Sequence, residues 1–201
     1  KVLLADYRPL ASENALRLGY RLAPPTQQRA TNTPIFLPKR AQLRGAQLAY
    51  EDFANIRLSE ANLCDADLSA TRLAFACLEN ARLDGANLIK ADLGASVFDN
   101  ASLIGACLAN ANLQNARAVG ACFAHADLAG ATLRRLHAPC SDWQGAKLRD
   151  NSFAEADLSG ANLSSTTILR VTAPHAMLPD LQRHQPLTRS AVRSHVSACV
   201  V

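Results

Sequence analysis

"ANLCDADLSA", residues 61–70, holds two five-residue words, Ala-Asn-Leu-x-x and Ala-Asp-Leu-x-x. The same words return as "ADLSGANLSS" at 156–165. The register is unbroken from Ala41 to Arg170, which is 130 residues or 26 words with no insertion. The middle residue of each word is its centre, and centres run in steps of five from Leu43 to Ile168. Eighteen are Leu and four are Phe (Phe53, Phe98, Phe123, Phe153); Trp143, Ile168, Ala118 and Ala138 complete the set. Two residues before the centre, 18 of the 26 positions are Ala, with Glu51, Ile56, Thr71, Leu136 and Asn151 among the exceptions.

A period of five tests the available shapes. On an α-helix each residue turns about 100°, so a step of five turns about 140° and winds the leucines around every side. On a flat strand odd steps alternate faces, which leaves half of the leucines in water. A chain that turns a corner every five residues buries them all. Four words then close one square coil of 20 residues, with every centre pointing to the axis. The residue two before the centre also points inward, near the corner, where a small side chain fits. The other three positions point out, and there Asp, Asn, Arg, Ser and Gly accumulate.

The A-(D/N)-L-x-x pattern of 41–170 resembles the pentapeptide-repeat family. The resemblance implies an all-β solenoid, a right-handed quadrilateral β-helix. Residue n then sits over n+20 at the inter-strand spacing, and 26 words give 6.5 coils and a rod roughly 31 Å long. Coil-to-coil backbone hydrogen bonds must be nearly complete, because backbone ordering costs about 1–2 kcal/mol per residue and the leucines alone do not offset it. Open coil ends need caps. Residues 1–40 are therefore expected to supply an N-terminal cap. In it "SENALRLGYRL" (12–22) reads as a short helix with Ser12 as N-cap, and 26–33 as a polar linker. Residues 171–201 are expected to form a C-terminal cap and irregular tail, because Pro174, Pro179 and Pro186 break a continuous helix.

Two departures mark "RRLHAPCSDW" (134–143) as the expected weak point. Ala118 and Ala138 remove volume from one column, and Pro139 removes a backbone donor. Phe98 beside Ala118, and Leu136 beside Ala138, read as volume compensation. Phe123 and Trp143 are 20 apart and should stack directly.

Net charge is +4, but residues 1–40 carry +5, residues 171–201 carry +2, and the repeat carries −3. No run reaches the roughly 20 apolar residues of a membrane helix. "KVLLADYRPL" meets Asp6 and Arg8 too early for a secretory leader. Cys64, Cys77, Cys107, Cys122 and Cys140 fall in different columns of the coil, so none is placed for a disulfide; Cys199 lies in the tail. Free thiols imply a reducing compartment, the cytoplasm, with leaderless secretion as the alternative. There is no C-x-x-C and no H-x-x-x-H, and His125, His137, His175, His184 and His195 are scattered. The repeat accounts for Asp67, Asp92, Asp127 and Asp157 as turn residues, and for Gly85, Gly105, Gly120, Gly130, Gly145 and Gly160 as corner residues. No catalytic, cofactor or metal set follows, and the expectation is a non-enzyme that needs no cofactor.

Function then falls to the faces, ends or tails. The leading reading is a scaffold whose partner is another protein. Its candidate contacts are the outward apolar residues Tyr50, Phe75, Ile89, Val97, Ile104 and Val119, which spread over different faces. A second reading follows from the resemblance: some pentapeptide-repeat proteins mimic DNA, bind type II topoisomerases and protect them from poisons. A mimic needs an acidic face, whereas Arg57, Arg72, Arg82, Arg117, Arg134, Arg135, Lys147 and Arg149 interrupt every face. Those proteins also carry loops and a C-terminal dimerisation element; 41–170 has no loop, and a homodimer through the C-terminal end is an open expectation. A third reading is an effector or secretion accessory docking through the basic N-terminal arm. Direct nucleic-acid binding is not expected, because the basic tails lack interleaved aromatics.

Overall fold

A computed structural model describes residues 40–179. Within them each word becomes one side of a four-sided coil, and the cause is a turn of fixed sign. Every fifth residue from Arg40 to His175 has φ between +53° and +72°. That is the left-handed value a type II turn requires at its third position. Seven of these positions are Gly, and Asn55, Asn80, Asn100, Asn110 and Asn115 supply the next most tolerant side chain. Others hold residues that this conformation disfavours, Tyr50 (φ 64°) and Phe75 (φ 61°) among them.

Four of the five N–H groups of a typical word find backbone acceptors. Residues 62–66 are typical. Asn62 N–H donates back to Ala41 C=O (2.8 Å), Leu63 N–H forward to Arg82 C=O (2.7 Å) and Asp65 N–H to Asp84 C=O (2.9 Å), while Ala66 N–H closes the turn on Leu63 C=O (3.1 Å). The remaining N–H, on the residue after the centre, is taken by the side chain just before the centre where that side chain is Asp or Asn. Asn62 Oδ1 accepts from Cys64 (3.2 Å), Asp67 Oδ1 from Ser69 (3.0 Å) and Asp142 Oδ1 from Gln144 (3.0 Å). The word favours Asp or Asn at that place for this reason. Asp142→Ala should therefore cost about 1 kcal/mol in urea unfolding and Asp142→Asn much less, since the amide oxygen accepts the same bond.

The same bookkeeping of donors corrects the expected weak point. Pro139 stands after its centre, where the N–H lies outside the coil-to-coil ladder and proline suits the second turn position. Its neighbours keep the ladder: Ala138 N–H reaches Asp157 C=O (2.8 Å), Cys140 N–H reaches Ser159 C=O (2.8 Å), and Pro139 C=O accepts from Gly120 N–H (3.0 Å). Pro174 and Pro179 take the equivalent position, so the repeat also runs past Arg170. Thr172 pairs with Ser152 and Met177 with Asp157. The expected boundary at 171 is thus too early: "VTAPHAMLP" continues the coil, because its prolines fall where a turn accepts them. Among the described residues the repeat makes almost seven coils, roughly 34 Å of rod. The helix expected over 12–22, the rest of the N-terminal cap and the tail from 180 lie outside the described residues.

Pairing of n with n+20 is parallel throughout, from Gln42 with Asn62 onward. It lengthens into two short strands, β1 (Lys147–Arg149) and β2 (Thr167–Leu169). Side 1 of the rod carries words 41–45 to 161–165, side 2 carries 46–50 to 166–170, side 3 carries 51–55 to 171–175, and side 4 begins at 56–60. All centres from Leu43 to Leu158 are buried. Trp143 lies flat on Phe123 (centroids 4.3 Å, 18° between planes) and meets Phe153 edge-on (6.0 Å, 72°). The stack was legible in the 20-residue spacing; its support was not. Ser141 replaces the usual Ala, and its Oγ accepts the Trp143 indole N–H (2.6 Å) while donating to Ala138 C=O (2.5 Å). Other inward polar residues bond the backbone: Thr71 Oγ1 donates to Leu48 C=O (2.9 Å), and Asn151 Nδ2 to Leu128 and Ala131 C=O (2.7 and 2.9 Å).

Candidate protein-binding faces

With the axis filled, the outward side chains carry whatever the protein recognises. The six apolar candidates are not equivalent. Tyr50 (83% exposed) and Phe75 (64%) stand farthest into solvent. Expected on separate faces, they instead bracket one face. Tyr50 ends a side 2 word at the corner where side 3 begins, and Phe75 ends the side 3 word one coil along. Ile89 shares the Tyr50 edge two coils along, beside Lys90, and Ala54, Ala70, Ala74 and Ala95 are the small residues of the two edges. Between them runs the column Asp52, Arg72, Asp92 and Asn112, in which Arg72 Nη1 pairs with Asp52 Oδ2 at 3.1 Å and Asn112 Nδ2 donates to Asp92 Oδ1 at 2.8 Å.

Val97 and Val119 both belong to side 4 and are half-buried, and the Arg117–Asp99 ion pair (2.9 Å) joins their columns. Ile104 stands exposed at the corner of sides 1 and 2. Leu169, Met177 and Leu178, absent from the candidate set, are also exposed. The first lies at the Tyr50 corner in the last coil, and the other two share one word, beginning at Ala176, that falls in the expected tail.

Charges are arranged in pairs across neighbouring coils. Arg40 meets Glu60 at 3.0 Å, Arg44 meets Asp65 at 3.1 Å, and Arg170 meets Asp150 at 2.6 Å. Arg134 and Arg135 both reach Glu155, at 3.0 and 2.7 Å. The hydrogen bond from Arg135, then that from Arg134, holds the Glu155 carboxyl below its ordinary range. Asp157 is likewise held low, first by the Ser159 hydroxyl (2.6 Å) and also by His137 Nδ1 at 3.1 Å. This surface His–Asp–Ser contact places the serine hydroxyl on the aspartate rather than on the imidazole, so it activates no nucleophile.

The described cysteines are free thiols, as their columns imply. Cys64 is buried with its Sγ 3.8 Å from Asp84 Oδ2, and Ser59 Oγ lies 3.1 Å from Cys77 Sγ. An open depression of about 620 Å³ is bordered by Arg40, Gln42, Glu60, Asn62, Asn80 and Arg82. Its walls are mixed in charge and continuous with bulk solvent.

A family model described as pentapeptide repeats matches in eight copies over residues 39–74, 66–96, 76–115, 96–135 and 140–167, more than half of the chain. The chain belongs to the pentapeptide-repeat family. The four-sided coil is thus a right-handed quadrilateral β-helix. Among solved structures, the chain is similar to full-length QnrB1, a plasmid-mediated fluoroquinolone resistance protein. Identity is 16%, coverage is 70% of this chain and 83% of that one, and the TM-score is 0.46. It is also similar to HetL, a pentapeptide-repeat protein involved in heterocyst differentiation regulation from the cyanobacterium Nostoc sp. strain PCC 7120. There identity is 27%, coverage 73% and 87%, and the TM-score 0.25. A third is a pentapeptide-repeat protein of the Arabidopsis thaliana thylakoid lumen, with 23% identity, coverage of 64% and 68%, and a TM-score of 0.22. All three TM-scores fall below 0.5, so the assignment rests on the repeat itself. No curated protein matches the sequence.

Proposed function

We propose that this pentapeptide-repeat protein is a non-catalytic binding scaffold that presents the outer faces of a rigid rod to another protein. One observation carries the reading. The interior is filled by side chains from Leu43 to Leu158, while the two largest outward apolar groups, Tyr50 and Phe75, are held at left-handed backbone positions. Glycine or asparagine would be the stable choice at both places. A bulky aromatic there is disfavoured by the backbone and by exposure together, which points to selection for contact rather than for folding.

Charge argues against the DNA-mimic alternative. Its acidic face would need unbroken carboxylates, and here Arg72 sits between Asp52 and Asp92, while Arg134 and Arg135 flank Glu155. The two readings separate in one comparison. Affinity capture of the full chain against a Tyr50→Asn/Phe75→Asn double variant is expected to recover a stoichiometric partner that the variant loses. Recovery of a type II topoisomerase, with protection in a supercoiling assay, would replace the scaffold reading by the mimic. A partner set that changes only on deleting residues 1–33 would transfer recognition to the basic N-terminal arm.

A further inference from the structure

Side 3 is complementary to itself, and we infer that its occupant is a second copy of this chain, packed side by side and antiparallel. The inference rests on the scaffold reading to the extent that it uses the outer faces, and it names the partner of one of them. Side 3 has seven words, from 51–55 to 171–175, so word 111–115 is its midpoint. A twofold axis lying across the face at that word sets each word against the one equally far on the other side of the midpoint, and each corner against the same corner.

The residues that this operation brings together fit column by column. In the central column Asp52 faces Thr172, Arg72 faces Ser152 and Asp92 faces Thr132, with Asn112 on the axis. The charged half thus meets a half made of hydroxyls, and no like charges oppose. At the first corner Tyr50 faces Leu169 and Arg170, and Ile89 faces Ala129. Leu169 is itself an exposed apolar side chain, so the pairing covers two such groups at once. Arg170 adds a guanidinium against the Tyr50 ring. At the second corner Ala74 faces Ala154, and Phe75 faces Glu155 where Arg135 and Arg134 are gathered. Around side 3 the first three coils hold Glu51, Asp52 and Asp92 against Arg72 and Lys90, or −1. The last three hold Arg134, Arg135, Arg149 and Arg170 against Asp150 and Glu155, or +2. An antiparallel pair joins these halves twice. The backbone of each face is already bonded within its own coil, so contact is through side chains. A single narrow face lies at the low end of interface sizes, and the dimer is expected to be concentration-dependent rather than obligate.

Sedimentation velocity of the full chain across about a hundredfold range of concentration tests this; the range spans the dissociation expected of a small interface. The mass should rise from the 21.5 kDa monomer toward twice that value. Tyr50→Asn and Phe75→Asn should each weaken association about fivefold or more, as loss of a large aromatic contact does. Because asparagine suits a left-handed corner, both variants should unfold at the same or higher urea concentration, which separates lost association from lost folding. Gln114→Cys, on the axis, should form a 114–114 disulfide under mild oxidation, located by peptide mapping. A chain that stays monomeric throughout would overturn the inference and leave capture of a different protein as the scaffold reading. So would an oligomer unchanged by the two asparagine variants that cross-links near Leu178, which would place self-association at the C-terminal end.

Discussion

Trp143→Ala is expected to lower the unfolding free energy by about 3–5 kcal/mol, the range for a large aromatic removed from a packed core. The side chain is fully buried and makes two ring contacts, to Phe123 and to Phe153. Each such contact contributes about 0.5–1.5 kcal/mol beyond area burial. The cavity has little means of closing, because its walls are coils tied to one another by backbone hydrogen bonds on all four sides. Ser141 would lose the indole donor but keep its own bond to Ala138 C=O, so no new orphan donor is added. Trp143→Phe should recover most of the loss, since Phe123 already shows that a phenyl ring fits the same column. Urea unfolding by far-UV circular dichroism gives the total. Hydrogen exchange should place the increase between about residues 121 and 165, as nearest-neighbour coupling in a solenoid requires. A loss below about 1 kcal/mol would mean that the coils move together far more readily than their bonding implies.

Leu136→Ala should cost about 2–5 kcal/mol alone, and Ala138→Leu alone about 1–3 kcal/mol by overpacking. Made together, the two should nearly cancel. Leu136 fills an inward corner slot that most words give to Ala, while Ala138 is the centre of the same word, and both are fully buried. The pair reads as one exchange of volume between two adjacent inward positions. The double variant restores the ordinary word, Ala before and Leu at the centre, as in 156–160. Its stability should exceed the sum of the two single effects by more than about 1 kcal/mol, a coupling expected only of residues that share a space. Strict additivity in the denaturation midpoints would show that Leu136 and Ala138 drifted independently.

Much of this was open to reading in the sequence because a strict period fixes neighbours. Once n lies over n+20, the Phe123–Trp143 stack, the inward columns and the isolation of each cysteine follow by counting. The chemistry of the corners did not follow by counting. That Asp142 caps the Gln144 N–H, and that Pro139 is harmless one residue after a centre, depend on which N–H each turn leaves outside the ladder. Only the three-dimensional path of the turn decides that. The C-terminal boundary was misplaced for the same reason: three prolines read as helix breakers, while two of them, Pro174 and Pro179, sit where a turn accepts them.

The candidate face was hidden by a different limit. Tyr50 and Phe75 are 25 residues apart and occupy the same place in their words, so counting assigns them to successive corners and nothing more. Two successive corners bound a single side, and that relation emerges only when the coil is closed and its sides acquire an outside. The sequence by itself determined the period, the inward set and the corner positions, because burial of a repeating apolar residue admits one shape. Tertiary structure alone decided which outward side chains share a face, and which charges across coils neutralise one another. Those depend on the direction in which each left-handed corner sends its side chain, and a period of five does not encode that direction.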